Sequence, residues 1–191
     1  MIGLVLLIAG LAHRLKNVRG WDRKLFCALH RAASRFPGPG FFQEIWFLGR
    51  TSFALLCLII LTLIDWQLGI TALAVLLAAA GLERAIKLEV GRQRPFQILE
   101  GVPNRQWKEP TDPSFPSGDA LRVWYLAVVL PPVLASGNPW LLGAAGTAAG
   151  LVSLGRIVLG VHFPTDVLSG SGLGILFGSL TLAIWQTFQL L

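Results

Sequence analysis

Charge is scarce in this 191-residue chain: 14% of its residues are Asp, Glu, Lys or Arg, against 54% that are hydrophobic. Soluble domains are about a quarter charged, so this composition excludes an ordinary soluble fold and indicates a membrane protein. Cysteine is nearly absent. The two present, Cys27 beside a basic segment and Cys57 inside an apolar run, exclude a disulfide framework or a zinc site by number and placement, and both are expected to be packing residues. The chain has no internal repeat and no low-complexity segment. Its net charge of +6 comes without an aromatic-basic motif or a soluble recognition helix, which argues against nucleic acid and for anionic lipid headgroups as the partner of the basic segment.

Apolar runs cover about Ser52 to Trp66, Leu68 to Ile86, Ala120 to Ser136, Trp140 to Leu154 and Val167 to Leu191. A helix needs about 20 residues to cross about 30 Å of hydrocarbon, and several of these runs are short. Met1 to Ala12 counts as a sixth span if Arg14 and Lys16 snorkel. Its basic residues follow the apolar run instead of preceding it, the reverse of a cleaved signal peptide. The expected fold is all-α: one integral membrane domain over residues 1–191, a polytopic bundle of about six transmembrane helices, multi-pass in the cell (inner) membrane.

Between the first two runs, Arg14, Lys16, Arg19, Arg23, Lys24, Arg31 and Arg35 alternate with Trp21, Leu25, Phe26, Leu29 and Ala32 at helical spacing. That pattern predicts an amphipathic helix in the membrane interface. Phe36-Pro37-Gly38-Pro39-Gly40 breaks it, and Phe41, Phe42, Trp46 and Phe47 follow as interfacial aromatics. His13 and His30 are expected at the surface.

The longest polar stretch, Glu89 to Gly118, contains Pro95, Pro103, Pro110, Pro113 and Pro116, so it reads as an irregular loop with at most a short helical turn. A loop this long in a compact protein is usually functional. Counting spans places it on the same face as the Arg156 to Asp166 loop and the basic Arg14 to Arg50 stretch. The opposite loops, near Asp65 to Gln67 and Gly137 to Pro139, hold no Lys or Arg. The positive-inside rule would make the basic face cytoplasmic, but several of its cations have a second reason to be there.

Three patches on that face carry the chemistry. Lys87 and Arg94 lie about two helical turns apart, and would line one side of a pocket if a helix ran on through Arg92 before Pro95 ended it. Arg94, with Arg92 beside it, offers a planar donor fork to phosphate oxygens, and Lys87 a point charge; an ordinary basic collar fits this patch as well. Pro116-Ser117-Gly118-Asp119 places a hydroxyl and a residue without Cβ before an apolar helix, where free N–H groups suit an anion. A simple Ser117 N-cap explains that patch too. In the third patch, His162 precedes Pro164 at a helix start and Asp166 is close enough to turn back on the ring. An imidazole held by a carboxylate is a nucleophile or base, and Arg156 could neutralise charge developing on phosphate oxygens.

In order and spacing the patches resemble the type 2 phosphatidic acid phosphatase superfamily, whose pattern is Lys-x6-Arg-Pro, Pro-Ser-Gly-His and Ser-Arg-x5-His-x3-Asp. Lys87, Arg94 and Pro95 match the first part, and Arg156, His162 and Asp166 the third, with Gly155 in place of serine. The motif core spans residues 83–166. The resemblance implies a six-helix membrane enzyme that removes phosphate from lipid phosphates or (poly)prenyl diphosphates without a metal or cofactor. His162 would form a phosphohistidine and Asp166 would orient it, while Lys87, Arg94, Arg156, Ser117 and the Gly118 amide would cradle the phosphate. Soluble vanadate-binding relatives share this site, but the apolar spans disfavour them.

One position departs. Asp119 stands where the family has the histidine that protonates the leaving group, and a carboxyl with a reference pKa near 3.9 in a first helical turn, with Arg122 at i+3, is a poor general acid near neutrality. Three accounts stay open: Asp119 is buried and protonated, the leaving group needs no proton, or hydrolysis has been lost. The alternatives to a lipid phosphatase are a lipid-linked phosphotransferase and a membrane protein that only binds phospholipid headgroups. Retention of His162 with Asp166 argues against the last.

Overall fold

The computed structural model describes residues 1–33, 35, 38–134 and 138–189, with the backbone alone at His13 and Ala33. Phe36 and Pro37 of the predicted break, Ser136 and Gly137 of a predicted span end and loop, and the side chain of His13 lie outside that description. The helices are α1 (Ile2–Leu11), α2 (Lys16–Ala33), α3 (Pro39–Ile45), α4 (Thr51–Ile64), α5 (Trp66–Val90), α6 (Pro95–Ile98), α7 (Gly118–Leu134), α8 (Pro139–Val158) and α9 (Pro164–Gln189). No strand occurs among the described residues.

Three stretches are long and apolar enough to cross a membrane: the one from Trp66 onward that contains α5, then α8 and α9. The α3 and α4 region, bent by 43°, makes a fourth if read as one broken span. With 10 residues α1 rises only about 15 Å, half the hydrocarbon thickness, so six passes are reached only by counting it and the 17-residue α7. The chain is an integral membrane protein of all-α fold.

Local signals set the ends. Asp65 caps α5, its Oδ1 accepting from the Leu68 N–H at 3.0 Å, and its Oδ2 accepts from the Trp185 indole at 2.9 Å. That bond fixes the α4–α5 corner to the last turns of α9 at one end of the bundle. At the other end Gly91 takes the left-handed conformation, φ 59°, and stops α5. The helix therefore does not run on through Arg92 as the spacing allowed, and Arg92 and Arg94 come to point in different directions.

Helix α9 is the central post, with α7 on one side and α1 on another. A Cβ on Gly174 would run into the Leu121 carbonyl of α7, and one on Gly172 would come within 2.6 Å of the Gly3 carbonyl of α1. Small residues permit this approach where lipid supplies no hydrophobic drive between helices. Around these contacts Leu58, Leu61, Leu68, Leu121, Leu126 and Leu173 form the core, with Tyr125 donating to or accepting from Thr181 at 2.7 Å.

Helix α2 lies across the end of the bundle where α5 stops and α9 starts. Its inward stripe is Asp22, Phe26 and His30, and Trp21 and Leu25 face outward. His30 is therefore not a surface residue: it stacks on Phe26, and its Nδ1 lies 3.3 Å from the Ile157 carbonyl. Phe26 and Ile157 make that contact apolar, so the ring serves as a packed anchor of α2 on α8.

Candidate active site

The ends of α5, α7, α8 and α9 converge on a cavity of about 700 Å3, lined by Lys87, Arg94, Gly118, Asp119, Arg156 and His162 among others. Six of the eight residues expected from the sequence thus meet in one place. The other two stand behind. Ser117 is fully buried; its Oγ accepts from the Ala120 N–H at 3.4 Å and its own N–H donates to the Asp166 carbonyl at 3.0 Å. Its hydroxyl is an N-cap, the plainer of the two sequence readings.

His162 is presented by a turn that the sequence specifies. Helix α8 ends at Val158, Gly160 reverses the chain with φ 80°, and the His162 N–H donates back to the Arg156 carbonyl at 3.2 Å. Pro164 then opens α9, its missing N–H costing nothing in the first turn. The Nε2 of His162 sits 3.2 Å from Nη1 of Arg94. Its Nδ1 is 3.7 Å from Oδ2 of Asp166 and 3.5 Å from Oγ of Ser114, and Ser114 donates to the same Oδ2 at 2.5 Å. Asp166 and Ser114 hold the ring from behind, leaving Nε2 on the cavity side. Burial, then the charges of Arg94, Arg156 and Lys87, push the His162 pKa well below its usual value, so its imidazole is neutral.

Asp166 is itself held in place. It is fully buried, and besides Ser114 it accepts from the Phe163 N–H at 2.8 Å and from Arg92 at 2.6 Å. Arg92 reaches on to Asp22 of α2 at 2.6 Å, and Asp22 accepts from the N–H and hydroxyl of Thr165 at 3.0 and 2.6 Å. Arg92 is therefore no part of the phosphate fork. Its guanidinium packs 4.3 Å over Phe163 and acts behind the histidine.

The cations of the cavity are met by carboxylates. Lys87 pairs with Glu83 at 3.0 Å and with Asp112, and Arg94 pairs with Asp112 at 2.8 Å. Burial alone would raise the Asp112 pKa; its bonds to Lys87 and the charge of Arg94 outweigh that and lower it to about 2. Asp119 accepts from Arg122 at 2.6 Å, from Arg156 at 2.9 Å and from the Trp46 indole at 3.2 Å. Arg156 is 2% exposed, lies 5.2 Å over the Trp46 ring and donates to Gln106 at 2.5 Å. Its Nε and Nη1 are buried with no hydrogen-bond partner.

Several of these residues escaped the sequence reading. Trp46 lines the cavity instead of anchoring in headgroups. Asp112, Ser114 and Gln106 sit in the proline-rich loop with nothing local to single them out. Asp22 did leave a signal, since it shares the helical stripe of Phe26. Among the described residues no group of three or more His, Cys, Asp or Glu side chains is placed to hold a metal ion.

Comparison with known proteins agrees with this geometry. The family model of the PAP2 superfamily matches residues 68–190. The chain belongs to the PAP2 superfamily. An undecaprenyl-diphosphatase of Sulfolobus acidocaldarius is 37% identical over 122 residues, 63% of this chain and 57% of that protein. Phosphatidylglycerophosphatase B of Bacillus subtilis is 40% identical over 70 residues, 33% of this chain and 34% of that protein. The match thus spans little over half of the first and a third of the second. Among solved PAP2 structures, the transmembrane phosphatidylglycerolphosphate phosphatase of B. subtilis superposes with a TM-score of 0.79 at 27% identity, covering 97% of this chain and 94% of its own. Aquifex aeolicus LpxE superposes with a TM-score of 0.70 at 29% identity, over 84% of this chain and 93% of its own. The all-α expectation and the motif resemblance both hold.

Proposed function

We propose that this PAP2 protein is a multi-pass membrane phosphatase that hydrolyses lipid phosphates through a phosphohistidine on His162, and that a lipid diphosphate is its better substrate. The observation that carries this is Arg156, which lines the cavity together with His162: the Nε and Nη1 donor nitrogens of its buried guanidinium lack a partner. Buried donors are normally satisfied, and phosphate oxygens would satisfy these.

The residues suggest the steps. The substrate phosphate enters among Lys87, Arg94 and Arg156, and the Gly118 backbone lets it approach α7 closely. The neutral imidazole forms the N–P bond through Nε2 while the bond from phosphorus to the leaving oxygen breaks and that oxygen keeps the electron pair. Asp166 and Ser114 keep Nδ1 facing them and stabilise the ring as it gains charge. Water then attacks phosphorus, the N–P bond breaks, and inorganic phosphate leaves.

Asp119 decides the substrate class. A carboxylate engaged by two guanidiniums and an indole N–H has no proton ready for an alkoxide. A diphosphate instead expels a lipid phosphate, whose oxygen is stable unprotonated. The test is phosphate release by the purified protein, without added metal, from phosphatidic acid, phosphatidylglycerol phosphate and a prenyl diphosphate, with His162→Ala as control. Release strongest from the diphosphate and lost in the variant is expected, together with labelled phosphate trapped on His162. Release that survives His162→Ala, or none from any substrate, overturns the proposal.

A further inference from the structure

A second cavity, of about 840 Å3, adjoins the catalytic one. Arg92 and Phe163 line it, whereas Arg94 and His162 line the catalytic cavity. The two hollows thus lie on opposite sides of the same short stretches of chain. The second is walled by Arg14, Lys16, Arg19 and Arg23 of the basic segment together with Arg92, against one carboxylate, Glu89. Asp22 and Asp166 neutralise Arg92, so the positive excess of the hollow is that of Arg14, Lys16, Arg19 and Arg23. The Arg19 Nη2 donates to the Arg14 carbonyl at 3.4 Å, which sets the Arg19 side chain beside the turn before α2. Arg92 contributes a fixed wall, clamped over Phe163 between Asp22 and Asp166, and the exposed cations of α2 and the turn before it supply the charge.

We propose that this cavity is a second phosphate site, separate from the catalytic one, which takes the phosphate of an anionic phospholipid headgroup or free phosphate. Several donors around a compact hollow suit an anion with several oxygens. Val90, Ile98 and Phe163 give it an apolar side, and Trp21 and Leu25 lie exposed on the same helix, as at a membrane interface. An anion bound there ties α2 to the chain just after α5, over the back of the catalytic histidine. The site requires no turnover at His162.

The test uses the full chain in detergent, titrated with phosphatidylglycerol, a phosphodiester, and with phosphatidylcholine. Binding is read by native mass spectrometry and by the rise in Tm that a ligand of the folded state produces. Arg14→Gln/Lys16→Gln/Arg23→Gln removes cations of the cavity, and Lys24→Gln/Arg31→Gln/Arg35→Gln removes the same charge outside it. The expected result is at least tenfold weaker phosphatidylglycerol binding and no Tm rise in the first triple variant, with the second within twofold of the parent. If inorganic phosphate displaces the lipid, the site takes phosphate from either source; if it does not, the lipid is the ligand. Equal loss in both triple variants would reveal a diffuse basic collar, and no loss in the first would show that the cavity binds nothing; either result overturns the proposal. Should the first triple variant not fold, Arg23→Glu on the exposed side of α2 makes the same test.

Discussion

Arg156 and Asp119 face each other at 2.9 Å inside the catalytic cavity, and Arg122 holds the other oxygen of Asp119 at 2.6 Å. Where the family pattern has a histidine, this chain has a carboxylate locked into two ion pairs. Of the three accounts left open by the sequence, this geometry weakens the first, a protonated acid, because both oxygens already accept from cations.

Asp119→His should therefore restore a proton donor and shift the substrate ratio. General acids contribute about 10²–10⁴-fold where the leaving group needs a proton. The expected outcome is a rise of at least about tenfold in kcat/KM for phosphatidic acid relative to a prenyl diphosphate, measured side by side. An unchanged ratio would sink the leaving-group argument, whatever the absolute rates.

The pH profile tests the nucleophile. Burial and three cations depress the His162 pKa, so the free enzyme keeps a neutral imidazole below pH 6.5 and the acid limb of kcat/KM should fall below that value. Lys87→Met removes one of the cations and should move the limb upward while raising KM. Above pH 6.5 folded and unfolded histidine are both neutral; as pH falls from 6.5 toward the folded pKa, only the unfolded chain binds the proton, and the fold loses stability. His162→Gln should flatten that part of a Tm-against-pH curve, and a limb above 6.5 in the parent would contradict the burial argument.

How far the sequence could be read follows from the range of the interactions. Lys87, Arg94, Arg156, His162 and Asp166 were legible because motif spacing fixes them, and α5, α8 and α9 because long apolar runs admit few alternatives. The role of Arg92 was not legible: it depends on Gly91 turning the chain left-handed and on Asp22, 70 positions earlier, waiting on the other side. Asp112 was hidden for the same reason, since its partners Lys87 and Arg94 come from other segments. Glycines 172 and 174 read as ordinary apolar-span residues until the neighbouring helices were in place.

Asp112 gives a prediction about substrate entry. Its carboxylate bridges Lys87 and Arg94 in the cavity, and with a pKa of about 2 it stays charged at any working pH. A substrate phosphate must displace it or share its cations. Asp112→Asn should lower KM several-fold with little change in kcat. Stability moves the other way: the contribution of Asp112 is complete above its unfolded value of 3.8 and lost as pH falls toward 2, so the variant should have a lower Tm at neutral pH but a flatter acid unfolding curve. A raised KM would mean that Asp112 shapes the phosphate site instead of occupying it.

Close packing of α7 on α9 positions the first turn of α7 at the site. A Cβ at Gly174 would press on the Leu121 carbonyl and lie 2.9 Å from the Tyr125 nitrogen, both backbone atoms of α7 with no freedom to swing aside. Gly143, in contrast, has open space around its Cβ position. Gly174→Ala should therefore cost about 1–3 kcal/mol through overpacking, whereas Gly143→Ala should cost nothing and add up to about 1 kcal/mol from helix propensity. Because α7 carries Gly118 and Asp119 in its first turn, pushing it off α9 should also lower kcat for every substrate alike, without changing the ratio that Asp119→His alters. Tm and kcat of the two variants in detergent check this. Equal effects from both glycines would show that close packing of α7 on α9 does not hold the active site in place.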